Sequence, residues 1–584
     1  VSGPTSGDGR DGTPDGGAEG PHGSALVQQA AWTLVWLSVA SAGVLYWGSW
    51  TAGPWAAALA PALVVVGLAG TALVWTLRRP LSTAMAAVGL AASLASAAIT
   101  QGTAIHLRHY VTTDSAAFNQ VAARLLLQGR NPYTASLAAS AHLLKPPAAF
   151  WTYRVDGRHA LEVSYPAGSF LLQVPLRALG VAHMPTDWLD LAAWLATGVL
   201  IFCMVPAALR WVAPLLVLTG IYLVPLSDGG TDALFLPFLV LALWRWDRYP
   251  GRATPWLPSW VGPVALGVAC SIKQTPWFCV PFLVLGVALV ARRDGTGRPV
   301  AVATRYALWT LGAFVVVDLP FIVWAPGAWL HGVLLPVVDP LVPDGQGVVA
   351  LALHGLTGGV VPVWLSAAGA LAVVGLLVAL AAWPARLWRS WLFLLPLALV
   401  LPARSFTNYL LDFLPAALVA ALTVRPWTTG PAATAPSGGR RRVAAGVLGA
   451  LALASAACVA VGLTSAPLAV TVGRVAASGD PTSEYPMRWR QVTVSVTNHA
   501  AAALRPRFMV SSGSGHPSGF WEATAVRGAV PVPPGGTTTF LLRPPEPTWT
   551  PTHGQAWVVQ AYTTSPAALS SSPLQRWRLG KVLH

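Results

Sequence analysis

His106-Leu107-Arg108-His109-Tyr110-Val111-Thr112-Thr113-Asp114 leads into Ser115-Ala116-Ala117-Phe118-Asn119-Gln120-Val121-Ala122-Ala123-Arg124-Leu125-Leu126-Leu127-Gln128-Gly129-Arg130-Asn131-Pro132-Tyr133. This is the first sizeable polar stretch of the chain, and its flanks decide the fold class. Upstream lie apolar runs at 30–48, 55–77 and 82–104. Downstream they recur at 167–182, 188–208, 212–226, 232–246, 259–275, 277–291, 304–324, 362–383, 388–403, 407–424 and 443–463. Many approach or exceed the roughly 18 to 20 residues that cross a bilayer. With 584 residues, 54% hydrophobic and 10% charged, and a mean hydropathy of +0.58, the chain reads as a polytopic α-helical membrane protein. The runs predict about 11–14 spans.

Within the opening stretch, Phe118, Val121, Ala122 and Leu125 follow the i, i+3, i+4, i+7 spacing of one helical face. Asp114 or Ser115 would start that helix, and Gly129 with Pro132 would end it. Its amphipathic pattern predicts a helix lying along the membrane surface.

The net charge of +15 falls in short clusters between apolar runs: Arg78-Arg79, Arg245 to Arg252, Arg292 to Arg298, Arg386 to Arg389 and Arg440-Arg441-Arg442. Cytoplasmic loops collect basic residues in this way, so topology accounts for the charge and no nucleic-acid partner is expected. Residues 1–28, rich in Gly, Pro, Asp and Ser, read as a disordered cytoplasmic tail without the features of a signal peptide. A transmembrane domain then covers 29–464, with 104–165 as its first large outer loop. Asp228, Lys273, His331, His354 and Arg404 fall at or near the outer face of this cell-membrane, multi-pass topology. Three apolar stretches between Tyr165 and Asp228 are one too many, so one of them must be re-entrant or too short to cross. The Pro- and Gly-rich segment 325–361 reads as an outer loop dipping toward the membrane.

From about 465 the apolar period becomes two. Val492, Val494 and Val496 alternate with Thr493, Ser495 and Thr497, similar runs occur at 505–511, 537–542 and 556–563, and Pro533-Pro534-Gly535-Gly536 reads as a turn. Residues 465–584 therefore predict an extracytoplasmic all-β, sandwich-like domain. Its tryptophans Trp489, Trp521, Trp549, Trp557 and Trp577 either stack on sugars or fill the core. The cysteines Cys203, Cys270, Cys279 and Cys458 lie in apolar stretches without metal-ligand spacing, which argues against a disulfide framework and a zinc site.

Asp114-Ser115-Ala116-Ala117-Phe118 through Gly129-Arg130-Asn131-Pro132-Tyr133, followed by Ser164-Tyr165-Pro166-Ala167-Gly168, resembles the GT-C superfamily of membrane glycosyltransferases. More narrowly it is similar to glycosyltransferase family 87, which has an acidic residue in the first large outer loop, a Gly-x-Asn-Pro-Tyr element and then Tyr-Pro-Pro. Ala167 departs from the third position of that last motif. Ala269-Cys270-Ser271-Ile272-Lys273-Gln274-Thr275-Pro276-Trp277 looks like the lysine-containing span end of the same family. The resemblance covers roughly residues 100–425 and leaves the β domain out.

The resemblance implies a polyprenyl-phosphate sugar donor carrying mannose or arabinofuranose, an extracytoplasmic glycan or glycolipid acceptor, and no soluble cofactor. A carboxylate within reach of an attacking hydroxyl takes its proton, which makes Asp114 the base of an inverting transfer. Cations would stabilise the leaving phosphate, and the candidates are Lys273, Arg404, Arg108, His109 and His354. Asp228, Asp232, Tyr133 and Tyr165 are candidates for the sugar or acceptor, and no metal ligand is assigned. Plainer roles stand beside each: a helix cap for Asp114, a snorkelling anchor for Lys273, interfacial anchors for the arginines, and a turn for Asp228 and Asp232. A transporter or flippase of lipid-linked sugars is the alternative, favoured by Asp318 inside an apolar run. An inactive glycan-binding scaffold is the third reading.

Overall fold

The computed structural model describes residues 21–47, 56–76, 83–108, 111, 113–143, 151–181, 184–219, 232–427, 438–478, 488–512, 517–545 and 556–576. Two compact units emerge, residues 1–100 with 207–219, and residues 101–206 with 220–584.

In chain order the main helices are α1 (Pro21–Trp47), α2 (Ala56–Thr76), α3 (Thr83–Leu107), α4 (Asp114–Leu127), α5 (Pro185–Met204), α6 (Val261–Ile272), α7 (Cys279–Arg293), α8 (Pro299–Trp324), α9 (Pro326–Val338), α10 (Pro362–Ala382) and α11 (Gly438–Thr464). Among the described residues, eight helices are long and apolar enough to cross a membrane: all of these except α4, α6 and α9, with α7 extended by the turn Thr275–Phe278. α1 begins at Pro21, inside the stretch read as tail.

Eight among the described residues is fewer than the 11–14 spans expected of the chain; the stretch 212–226 lies partly outside those residues, and proline bears on several of the others. The stretches 167–182, 232–246, 388–403 and 407–424 contain helices no longer than ten residues, several started or interrupted by Pro175, Pro237, Pro396 or Pro415. Each proline lacks the N–H that would continue the ladder. One of the stretches before Asp228, 167–182, is broken in the same way. Gly168–Leu171 and Val174–Ala178 would together rise about 14 Å, less than half of a roughly 30 Å hydrocarbon layer.

In the first unit, Gly67 and Gly70 of α2 lie so close to Trp36 and Ala40 of α1 that a Cβ at either would overlap them. The Trp75 indole donates to Thr33 Oγ1 at 2.9 Å across the same pair.

In the second unit, α4 ends where the spacing placed it, with Gly129 at φ +72° just beyond. Most of its residues are buried within the protein, and its polar side chains do not form an exposed face. Phe118, Val121 and Leu125 pack with Tyr133, Phe170 and Phe321, while Ala116 and Ala117 pack with Ile105 and Leu191 on another face. Small residues at Ser115, Ala116, Ala117 and Ala123 let neighbours close around the helix, so the polar pattern did not mean a solvated face. The segment 325–361 is likewise less of a loop than expected. It holds α9, then strand β1 (Asp344–Gly345), a helical turn Ala350–Leu353 and strand β2 (Gly359–Val360).

After β3 (Arg404–Ser405), the C-terminal strands are β4 (Leu468–Ser478), β5 (Arg488–Asn498), β6 (Arg507–Ser512), β7 (Pro517–Arg527), β8 (Thr537–Arg543), β9 (Ala556–Thr564), β10 (Ala567–Ser571) and β11 (Gln575–Arg576). They form an antiparallel sheet in the order β2-β10-β9-β6-β7-β8-β5-β4, with β11 on β9. β7 pairs with β6 through Trp521 and with β8 from Glu522 onward, so the sheet is continuous and curls. Leu468 N–H donates to Ser570 Oγ at 3.2 Å, drawing β4 toward β10. The expected sandwich is therefore a half-barrel. Trp489, Trp521 and Trp557 fill its core with Val492, Val494 and Phe540, which rules them out as an exposed sugar platform. Trp549 and Trp577 lie outside the described residues.

Candidate functional site

Thr113, with extended φ −127° and ψ 142°, caps α4 by accepting the Ala116 N–H at 3.3 Å. Asp114 is thus the first helical residue, and its carboxylate is not used as the cap. Asp114 Oδ2 instead accepts the Thr152 N–H at 2.8 Å. Burial pushes the Asp114 carboxyl above its ordinary 3.8, opposed by the hydrogen bonds from Thr152 and by the positive charge of Arg404. Arg404 sits on β3, where its Nη1 donates to Val342 O at 3.0 Å and its Nη2 lies 3.5 Å from Thr152 Oγ1. Tyr165 and Tyr409 are within electrostatic reach of both Asp114 and Arg404.

The two tyrosines lead to a second group. Lys273 follows the last turn of α6 and is buried, 3% exposed, which contradicts a snorkelling anchor. Its ammonium pairs with the Asp232 carboxylate and stands 4.9 Å from the Tyr409 ring centroid and 6.0 Å from that of Tyr165. The Asn408 amide donates to Asp232 Oδ2. Asp412 and Asp190 add electrostatic contact to Lys273. A buried charge is retained when opposite charge and hydrogen bonds surround it. Here carboxylates outnumber the one ammonium, so Lys273 is already engaged and is a poor partner for a free phosphate.

Sequence reasoning missed Asp190 and Asp412. The available signal was a lone acid in an apolar run, as in Leu410-Leu411-Asp412-Phe413-Leu414. Asp232 and Lys273, by contrast, were singled out and do meet.

Other candidates take supporting places. The Tyr133 hydroxyl donates to the Tyr165 carbonyl at 2.8 Å and its ring packs on Phe170 and Phe321, so it holds Tyr165 in position. Arg108 turns to the buried Asp187, 3.6 Å away. His354 ends the turn Ala350–Leu353, beside Leu353 whose carbonyl accepts from Ser511 and Gln560 of the β domain. Asp318 Oδ1 accepts the Ala167 N–H and the Trp329 indole, each at 2.9 Å, a structural employment inside the fold. His109 and Asp228 lie outside the described residues.

The β domain reaches this site by two routes. Next to Thr152, Tyr153 packs edge-on against Phe520 of β7 at 5.5 Å. Arg404 pairs with Asp344 across β3 and β1, and the same segment continues into β2, where Val360 pairs with Leu569 of β10.

Chemically, the arrangement offers a half-buried carboxylate beside a guanidinium, and a carboxylate-rich pocket around an ammonium, with two tyrosines between. Among the described residues no group of three or more His, Cys, Asp or Glu side chains is placed to hold a metal ion. No family model, curated protein or solved structure matches the chain.

Proposed function

We propose that the chain is an integral membrane glycosyltransferase that moves mannose or arabinofuranose from a polyprenyl-phosphate donor to a cell-envelope glycan or glycolipid on the extracytoplasmic side. The observation that carries this reading is Asp114, relieved of capping by Thr113 and held beside Arg404 with its proton affinity raised. An acceptor hydroxyl attacks the anomeric carbon, the bond to the phosphate oxygen breaks with its electron pair, and Asp114 takes the hydroxyl proton. A base whose pKa lies nearer the working pH performs this transfer better. Arg404 serves the leaving phosphate. The test is transfer by purified protein from synthetic polyprenyl-phosphate mannose and polyprenyl-phosphate arabinofuranose to short envelope oligosaccharides, with Asp114→Asn as control. Transfer from one donor that the variant loses supports the proposal; consumption of neither defeats it.

The buried Lys273, Asp232, Asp190 and Asp412 favour a second reading, an ion-coupled transporter or flippase, since ionisable groups buried among apolar helices mark ion pathways. Movement of the intact lipid between liposome leaflets, without sugar transfer, would support it.

A further inference from the structure

α6 carries Lys273 beyond one end, and at its other end Val261 borders a cleft lined by Trp244, Arg245, Trp246, Tyr249, Leu257 and Tyr306. Arg245 lines the cleft, and Arg248, Arg252 and Arg305 adjoin its lining residues Gly251, Ala253 and Tyr249. Arg245 and Arg248 both donate through Nη1 to Ala253 O, at 3.1 and 3.4 Å, Arg252 donates to Pro255 O at 2.9 Å, and Arg305 donates to the Tyr249 hydroxyl at 3.1 Å. All these acceptors are neutral. The nearby carboxylate, Asp247, lies within electrostatic reach of Arg245 but is bonded to a fifth arginine, Arg425, at 2.9 Å. The cluster therefore keeps a positive excess.

Two further features indicate a ligand. Trp246 and Tyr306, 3% and 1% exposed, line the cleft and have an indole N–H and a hydroxyl without a hydrogen-bond partner among the described residues. Arg245 is held at φ +51°, a left-handed backbone that L side chains rarely adopt and that concentrates at functional sites. Trp256 and Trp260 stand beside the cleft, 75% and 44% exposed, as aromatic residues do at a membrane interface.

We infer that this cleft binds the phosphodiester head group of an anionic phospholipid. The guanidinium groups match the phosphate, and basic pockets between apolar helices hold such head groups. The exposed tryptophans and apolar walls select a lipid over a soluble anion that shares the charge. This inference does not depend on the proposed transferase activity.

The experiment is native mass spectrometry of the full chain released from nanodiscs of equal phosphatidylglycerol and phosphatidylcholine, with inorganic phosphate added in a separate arm. Wild type retains phosphatidylglycerol preferentially, and Arg245→Gln/Arg305→Gln loses about fivefold in that preference for each charge removed. Arg252→Gln, at an exposed position, gives a smaller loss and serves if the double variant does not fold. Equal retention of the two lipids, or a preference unchanged in the variants, overturns the inference. So does displacement of the lipid by inorganic phosphate, which would make the occupant a soluble anion.

Discussion

The Thr152 amide donates to Asp114 Oδ2 at 2.8 Å while Thr113 closes the helix start, so the carboxylate and the cap belong to adjacent residues with separate jobs. Substituting them separates chemistry from stability. Asp114→Asn removes the base and should lower the turnover by about 10²- to 10⁴-fold while the protein still folds. Thr113→Ala should cost roughly 1 kcal/mol of stability and leave turnover per folded molecule nearly unchanged. Transfer assays beside thermal unfolding of both variants check this.

The pH dependence follows from the raised carboxyl. As a base Asp114 works ionised, so the acid limb of the rate profile should rise through a pKa above 3.8. Arg404→Gln removes a charge that lowers this pKa, and should move the limb to higher pH. For stability the sign is opposite to that of a salt-bridged acid. The folded state binds the proton more tightly than the unfolded chain, so stability falls as pH rises from 3.8 through the folded pKa. Asp114→Asn should remove that component, as pH-dependent unfolding of the two proteins would reveal.

Ala167 is where the chain departs from Tyr-Pro-Pro, and its N–H is bonded to Asp318 at 2.9 Å. Its φ of −61° suits proline, so Ala167→Pro changes the backbone little and deletes one buried donor. Leaving an acceptor short should cost about 1–3 kcal/mol. A lower midpoint in thermal unfolding is the expected result; an unchanged one would mean the Trp329 indole alone satisfies Asp318.

Much of this was legible in the sequence, and the boundary is physical. α4 could be read because its apolar face and its terminating Gly129 are local signals. β5 and β8 could be read because alternation along Val492, Val494 and Val496 survives one-sided burial. β4 and β7 were missed, since Leu468–Ser478 and Pro517–Arg527 dilute the alternation with alanine and glycine. Lys273 stood out as a rare charge, but its partners Asp190, Asp232 and Asp412 come from distant parts of the chain. No local pattern shows which acids will meet a lysine.

That meeting makes Lys273→Met informative. It leaves Asp232 and its acidic neighbours without their cation, and breaking one side of a buried pair costs about 3–5 kcal/mol. Lys273→Met/Asp232→Asn removes both charges of the pair, keeps an amide beside Asn408, and should recover much of the loss. The expected coupling in a double-mutant cycle is favourable and larger than about 1 kcal/mol; additive effects would show that Lys273 answers mainly to Asp412 and Asp190.

The β domain reaches the site through Phe520, which packs on Tyr153 at 5.5 Å and on Tyr562 at 5.7 Å. Because Tyr153 follows the residue that donates to Asp114, loosening it should loosen that donor. Phe520→Ala should quicken hydrogen exchange at the Thr152 amide, while exchange in α1 and α2, which belong to the other unit, stays as in wild type. If Asp114 is the base, the same variant should also lower turnover more than it weakens donor binding, since a catalytic carboxylate misplaced by about 1 Å loses on the order of 10²-fold. Unchanged exchange at Thr152 would mean that the second route, through β2 and β1 to Arg404, is enough to hold the site.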